Sequence, residues 1–440
     1  MNASYFPSAT KGVASHWSMA WNEENNLNGH NPQQEESVCV MMEGAIPKRP
    51  IKVVHIITGL NTGGAEVMLR ELLRFAAPGF EHEVISLSTI GPVGRSIQKM
   101  GVRVTALEMN SGLLAFLDIA RLRRELKRAR PDVVQTWLYH ADIVGGIAAR
   151  LAGVRELVWG LHMSHLDPAT TKKSTLLMMR LGALLSHILP QVIVCCAKST
   201  KHLHIRKGYA AQKMRVIFNG FDTHQFKPDP DACTWIRHEL AIPATAFIVG
   251  MIGRFHPQKD HSNFVMAAQM AIQSQPDTFF LLCGEGCDES NPVLEQLIGN
   301  TELKQHFRLL GRRDDMAQVM AGLDVLVLSS AYGEAFPMVV GEAMSCGVLP
   351  VVTDVGDSSF LVGNCGRVVP PENAESLARA WRELLYMSPM RRTHLGQRGR
   401  ERIKENFSIE LVSAEYHALY RELVQSHANR TNKARASKKA

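Results

Sequence analysis

Residues 51–76 read IKVVHIITGLNTGGAEVMLRELLRFA. The first ten form a nearly unbroken apolar run that ends in turn chemistry, and the last fourteen carry apolar residues at helical spacing. A strand that is apolar throughout, rather than at alternate positions, expects cover on both faces. That is the mark of a parallel sheet built from strand–helix–strand units. The pattern repeats downstream. HEVISLS (82–88), GVRVTALEM (101–109), DVVQTWLY (132–139), ELVWGLHM (156–163) and Gln191–Cys196 read as further strands. Between them lie a basic helix from Leu117, a helix through Ile147 and another ahead of Gln191.

A second series begins after NGFDTHQFKPDPD (219–231), with strands at FIVGMIGR (247–254), TFFLLCGEG (278–286), FRLLGRR (307–313), DVLVLSS (324–330) and VLPVVTD (348–354). Helices start near Asp260 and near Pro337, and helical segments at 372–385 and 390–424 close the chain. The Pro-rich stretch Phe226–Asp231 separates the two series. The expectation is an α/β protein of two Rossmann-like domains facing across a cleft, residues 50–225 and 226–388, followed by C-terminal helices at 389–425. Residues 1–49 are polar and aperiodic and read as a disordered extension. Residues 426–440 read as a basic, disordered tail.

Composition narrows the function classes. With 440 residues, 45% hydrophobic and 21% charged, the chain is neither fibrous nor mostly disordered. Its eight cysteines show no paired C-x-x-C spacing, which argues against a disulfide scaffold or a zinc ribbon and for a reducing, cytoplasmic setting. Of the +7 net charge, five positive charges fall in the last eleven residues, leaving the body near +2. A nucleic-acid partner is therefore not implied. The longest apolar stretch, 176–197, is interrupted by Arg180, His187 and Pro190, so no membrane span is expected. No basic-then-apolar leader precedes it. Two apolar segments flanked by basic residues, Leu117–Arg130 and Lys172–Leu189, would suit peripheral contact with the inner membrane at its cytoplasmic face.

Open parallel sheets bind ligands at the carboxyl ends of their strands. After the first strand come Gly63 and Gly64, where backbone can approach a ligand and a helix N-terminus follows. The spacing is neither G-x-G-x-x-G nor a P-loop, which disfavours a dehydrogenase or an ATPase. After FIVGMIG, Arg254 and Lys259 flank a proline turn and suit a diphosphate, the first as a planar fork and the second as a point charge. After DVLVL, the segment SSAYGEAFPMVVGEAMSCG sets Glu334 before a helix and Glu342 inside it. A carboxylate accepts from two neighbouring hydroxyls, as a sugar presents them, and the free amides of Met338 and Val339 can meet oxygen ligands.

As a set, these residues resemble the retaining glycosyltransferases of GT-B architecture, family 4, of the bacterial surface-polysaccharide type. Glu334 to Glu342 matches the family's E-x7-E motif, and Arg254 with Lys259 matches its R-x4-K pair. The resemblance spans about residues 52–425. It implies that Glu342 holds the ribose hydroxyls of a nucleotide, that Glu334 holds those of the donor sugar, and that amides at Phe336, Met338 and Val339 bind sugar and phosphate. It also implies that His162 approaches the reacting carbon. Where the family often reads E-G-F-G, this chain has Ala335 and Pro337, and Pro337 offers no N–H. The implied reaction passes a sugar from a nucleotide diphosphate, UDP ahead of GDP-mannose, to a hydroxyl of a saccharide or lipid-linked saccharide. No metal or other cofactor is expected. A nucleotide-sugar epimerase and a non-catalytic nucleotide-sugar-binding protein remain as alternatives.

Overall fold

The computed structural model describes residues 49–109, 115–165, 173–299 and 301–437. The proposed extension at 1–49 lies outside these residues except for Arg49, as do Lys172 and residues 438–440. The first domain runs β1 (Ile51–Ile57), α1 (Gly64–Arg74), β2 (Phe80–Ser86), α2 (Gly91–Lys99), β3 (Arg103–Ala106) and α3 (Ala115–Ala129). It continues with β4 (Val133–Trp137), α4 (Tyr139–Ala152), β5 (Leu157–Leu161), α5 (Lys173–Ser186), β6 (Val192–Cys195), α6 (Lys198–Arg206) and β7 (Met214–Val216). The second contains α7 (Ala232–Glu239), β8 (Phe247–Ile252), α8 (His261–Ile272), β9 (Thr278–Cys283), α9 (Pro292–Ile298), α10 (Thr301–Lys304) and β10 (Phe307–Gly311). Then come α11 (Met316–Ala321), β11 (Val325–Leu328), α12 (Met338–Ser345), β12 (Leu349–Thr353), α13 (Ser358–Val362) and β13 (Arg367–Val369). The chain ends in α14 (Ala374–Leu385), α15 (Pro389–Asn406) and α16 (Ile409–Ser437).

Both sheets are parallel throughout the paired strands, ordered β3-β2-β1-β4-β5-β6-β7 and β10-β9-β8-β11-β12-β13. This is the two-domain α/β fold expected. β7 and β13 were not anticipated, and the reason is length: each is three residues at a sheet edge, too short to show a period. In each sheet the strand order reverses at one point, between β1 and β4 in the first and between β8 and β11 in the second. Loops leaving those strands diverge and open a crevice there.

The C-terminal helices do not form a unit of their own. α15 packs against α12 and β12 of the second domain. Phe407 and Ser408 then interrupt the helix that the sequence pattern ran straight through. Phe407 enters an aromatic cluster with Phe218, Phe336 and Phe360, and Ser408 bridges to Phe221 in the connection between domains. From there α16 returns to the first domain. Its Ile409, Val412, Tyr416, Leu419, Tyr420 and Leu423 fall on one helical stripe and join the core around Trp137 and Met68. The expected disordered tail from 426 is corrected as well, since α16 runs to Ser437. The buried carboxylate of Glu156 takes His427 at 3.1 Å and Arg430 at 2.8 Å, giving two of those basic side chains a partner.

Where α16 meets the first sheet, its buried His417 joins buried His55 and half-buried His82. His55 Nε2 and His82 Nδ1 are 2.9 Å apart, Trp137 Nε1 donates to His55 Nδ1 at 3.2 Å, and the His417 ring packs tilted against Phe80, centroids 4.3 Å apart. Burial holds all three in the neutral form, pushing His82 down to about 4, His417 to about 3, and His55 well below its usual value. Unfolded histidines take up protons near pH 6.5, so below that pH the unfolded chain binds protons that the folded one refuses. Stability contributed here is present above pH 6.5 and is lost as the pH falls toward 4, at about 1.4 kcal/mol per pH unit for each excluded proton. Melting temperature should therefore drop steeply between pH 6.5 and 4.5, and less steeply in His417→Phe; a flat profile in the wild type contradicts this.

Candidate active site

The loops leaving β8 and β11 meet at the switch point of the second sheet. Lys259 closes a short turn after β8, its stem lying over Gly253, where an added Cβ would sit 3.4 Å from Lys259 Cε. Its Nζ donates to Glu334 Oε1 at 2.6 Å, and Ser330 Oγ donates to the same oxygen at 2.7 Å. Glu334 is buried, so this pair fixes its carboxylate on the cleft side of the β11 loop. The loop itself is pinned on both flanks. Ala331 N donates to Gln258 O at 2.9 Å, Thr353 Oγ1 to Ser330 O at 2.6 Å, and Asp357 N to Ala335 O at 3.0 Å. Gly356, at φ +63°, packs its α-carbon directly against the carbonyl of Glu334.

Glu342 lies one turn inside α12, whose N-cap is Pro337 rather than its first helical residue. Burial pushes its carboxyl up to about 7; Arg70 of α1 opposes that shift and Glu71 adds to it. Glu342 therefore looks across the gap at the first domain. Arg70 is already engaged by Glu71, Nε to Oε1 at 2.7 Å. Gly341, just before Glu342, is where the ring of Phe221 packs on the helix, leaving no room for a side chain.

From the first domain, the loop after β5 reaches the same place. Ser164 Oγ donates to the carbonyl of Glu334, and the ring of His165 lies 4.7 Å from that of Tyr332. His162, two residues earlier, stacks on Trp137 with ring centroids 5.2 Å apart. Burial lowers its pKa to about 4, and its Nε2 has no hydrogen-bond partner among the described residues. It is thus a neutral imidazole with one ring nitrogen unused.

The other expected residues divide. Arg254 is exposed and enters no ion pair among the described residues; with Lys259 it lowers the proton affinity of His256, after burial of that ring. Gly63 caps α1 in an extended conformation, and the carboxylate of Glu66 folds over it, so a Cβ there would collide. Gly64 faces open space. Met338 and Val339 open α12, where backbone N–H groups have no intrahelical partner. Phe336 is a core residue by its side chain, and its carbonyl accepts from Asn219 Nδ2 at 3.1 Å. Sequence reasoning missed Ser330, Ser164, Arg70 and Glu66. Only Glu66 had a signal, an acid three residues after a helix-capping position. Among the described residues, no three His, Cys, Asp or Glu side chains gather as a metal-ligand group, and no helix is long and apolar enough to cross a membrane.

Two family models match successive parts of the chain. "Glycosyltransferase Family 4" matches residues 62–225, and "Glycosyl transferases group 1" matches residues 234–402. A relative in Escherichia coli, UDP-Gal:alpha-D-GlcNAc-diphosphoundecaprenol alpha-1,3-galactosyltransferase, is 29% identical over 322 residues, covering 71% of this chain and 82% of that one. Among solved structures, HepE of Anabaena in complex with UDP aligns with a TM-score of 0.74 at 23% identity, covering 84% of this chain and 99% of HepE. The same protein with UDP-glucose aligns at 0.72 and 21%, covering 86% of this chain and all of the other.

Proposed function

The chain belongs to the family 4 glycosyltransferases, with their two-domain GT-B fold, and from that premise we propose that it transfers a sugar from a UDP-sugar, with retention at the anomeric carbon, to a hydroxyl of a lipid-linked saccharide in surface-polysaccharide assembly. The observation that carries this reading is Glu334, held by Lys259 and Ser330 at the switch point, while Glu342 faces Arg70 across the gap. UDP is preferred to GDP because the E. coli relative is named for UDP-galactose and HepE was crystallised with UDP and UDP-glucose. The relative's diphosphoundecaprenol acceptor supports a lipid carrier.

In this reading Glu342 accepts from the ribose hydroxyls and Glu334 from hydroxyls of the sugar. The bond from the anomeric carbon to the diphosphate oxygen breaks, and the acceptor oxygen bonds to that carbon on the same face. The departing phosphate oxygen takes the acceptor's proton. Negative charge grows on the diphosphate as the bond lengthens, and Arg254, Lys259 and the amides of Met338 and Val339 meet it, with no metal required. His162, neutral and stacked, lines the sugar side. Glu334 acts as a binding group, not a nucleophile.

Peripheral contact with an anionic membrane belongs to the same proposal. On α5 and just beyond it, Leu177, Leu181, Leu184 and Ile188 are 54%, 38%, 71% and 73% exposed, one stripe at i, i+4, i+7 and i+11. Arg180 interrupts it and is exposed. The basic helix α3 contributes less than its composition promised, because Arg121, Arg123 and Arg128 bond to Asp118, to the Leu151 carbonyl and to Glu125.

UDP-glucose binding tests the donor site directly. Its hydroxyls donate, so they need Glu342 ionised, and burial pushes that carboxyl up to about 7. Affinity should rise roughly tenfold from pH 6 to pH 8, and stay weak and flat in Glu342→Gln. Calorimetric titration reads this; a pH-independent wild type removes Glu342 from the site. Proton NMR of the transfer product reads the anomeric configuration, and release of an epimerised nucleotide sugar in place of a transfer product would favour the epimerase reading.

A further inference from the structure

Beside Glu334, a cavity of about 600 Å³ opens between the domains, lined by Ser164, Ser199, His202, Ile205, Arg206 and Gly356. Its size falls within the range of small-molecule sites. Two of its lining residues touch Glu334 itself, since Ser164 donates to the Glu334 carbonyl and Gly356 packs against it. The cavity therefore begins one residue's breadth from the carboxylate assigned to the donor sugar. That is where a second reactant must stand.

The far wall is a face of α6. His202, Ile205 and Arg206 stand at i, i+3 and i+4, so they project together. All three are exposed, and neither His202 nor Arg206 has an ion-pair partner among the described residues. Asp357, next to Gly356, is already committed: it accepts from Lys198 N at 2.6 Å and Ser199 N at 2.8 Å, taking up the amide end of α6. Lys198, one turn before His202, is engaged elsewhere, its Nζ 4.2 Å above the ring of Phe360. A permanent guanidinium and a histidine thus border the cavity, neither of them held in an ion pair among the described residues.

We infer that this cavity is the acceptor site and that it takes a phosphoryl or diphosphoryl group of the acceptor, gripped by Arg206 and His202, which leaves the acceptor's sugar at the Ser164–Gly356 end beside Glu334. The inference rests on the donor reading above. A planar guanidinium with a second donor one turn away suits phosphate oxygens. Ile205 between them offers an apolar contact for whatever the phosphate carries.

The test uses the full-length protein saturated with UDP, so that the donor diphosphate position is filled, and titrates inorganic pyrophosphate by calorimetry. A second arm titrates undecyl diphosphate, and comparison of the two distinguishes a soluble phosphorylated acceptor from a lipid-borne one. Arg206→Ala should weaken pyrophosphate binding at least tenfold, His202→Ala severalfold, and Arg206→Lys should recover part of the loss, while UDP affinity stays at the wild-type value. Both side chains are on the surface, so folding is not at stake. Unchanged pyrophosphate affinity in both variants, with UDP still bound, overturns the acceptor site alone. A wild-type protein that does not bind UDP overturns the donor reading and this assignment with it.

Discussion

Replacing Lys259 by alanine should cost the protein about 3–5 kcal/mol of stability and nearly all of its transfer activity. The pair it breaks is deep, with the side chains of Lys259 and Glu334 only 17% and 8% exposed. Removing the cation leaves a buried carboxylate facing Ser330 alone, and an uncompensated buried charge is what makes such deletions expensive. The site also loses the point charge assigned to the leaving diphosphate. Stability and catalysis can be separated with a second variant. Lys259→Met combined with Glu334→Gln leaves no buried charge unpaired, so it should regain most of the lost stability, yet it remains inactive because both binding groups are gone. Thermal unfolding and a transfer assay on the two variants and the wild type decide the matter. An unaltered melting temperature in Lys259→Ala would show the pair to be solvated, and an active double variant would remove it from the chemistry.

Gly356→Ala is the second large effect, and it acts without touching any charged group. Gly356 sits at φ +63°, where a side chain costs about 1–2 kcal/mol by itself. Here the added methyl group would also drive into the carbonyl of Glu334, a backbone atom that cannot swing aside. Either the β11 loop moves, carrying Glu334 off Lys259 and Ser330, or the second domain yields around α13. Transfer should fall at least a hundredfold, with the melting temperature lowered by several degrees. Gly153→Ala is the matching control. It has φ +90° but nothing within 4 Å of the new atom, and it lies at the end of α4, away from the cleft. It should show the backbone penalty alone, about 1 kcal/mol, and full activity. Equal activity loss in both would mean that strain, not displacement of Glu334, is responsible.

How far the site could be read in advance depended on what kind of contact makes it. Glu334, Glu342, Arg254 and Lys259 stand at fixed offsets from strand ends, and strand ends announce themselves by apolar runs. Ser330 was hidden because a serine after a strand has many ordinary uses, and only folding shows which oxygen its hydroxyl meets. Arg70 and Ser164 belong to the other domain, more than a hundred and fifty residues away from the Glu342 carboxylate and the Glu334 carbonyl that they face. The cationic wall of α6 was hidden for a different reason. His202 and Arg206 sit in KHLHIRKG, which reads as an ordinary basic helix until Asp357, from the second domain, is seen to be spent on its amide end.

By itself the sequence determined the two parallel sheets, the order of most strands and helices, and the loops on which the chemistry-bearing residues stand. Apolar period and turn residues are local properties, legible within a window of ten or so positions. Tertiary structure alone decided the return of α16 to the first domain, the clustering of its His417 with His55 and His82, and the meeting of Glu334 with Lys259 and Ser330 at its carboxylate and with Ser164 at its carbonyl. Those depend on which surfaces exclude water together, and no local window of the chain contains both sides of such a contact.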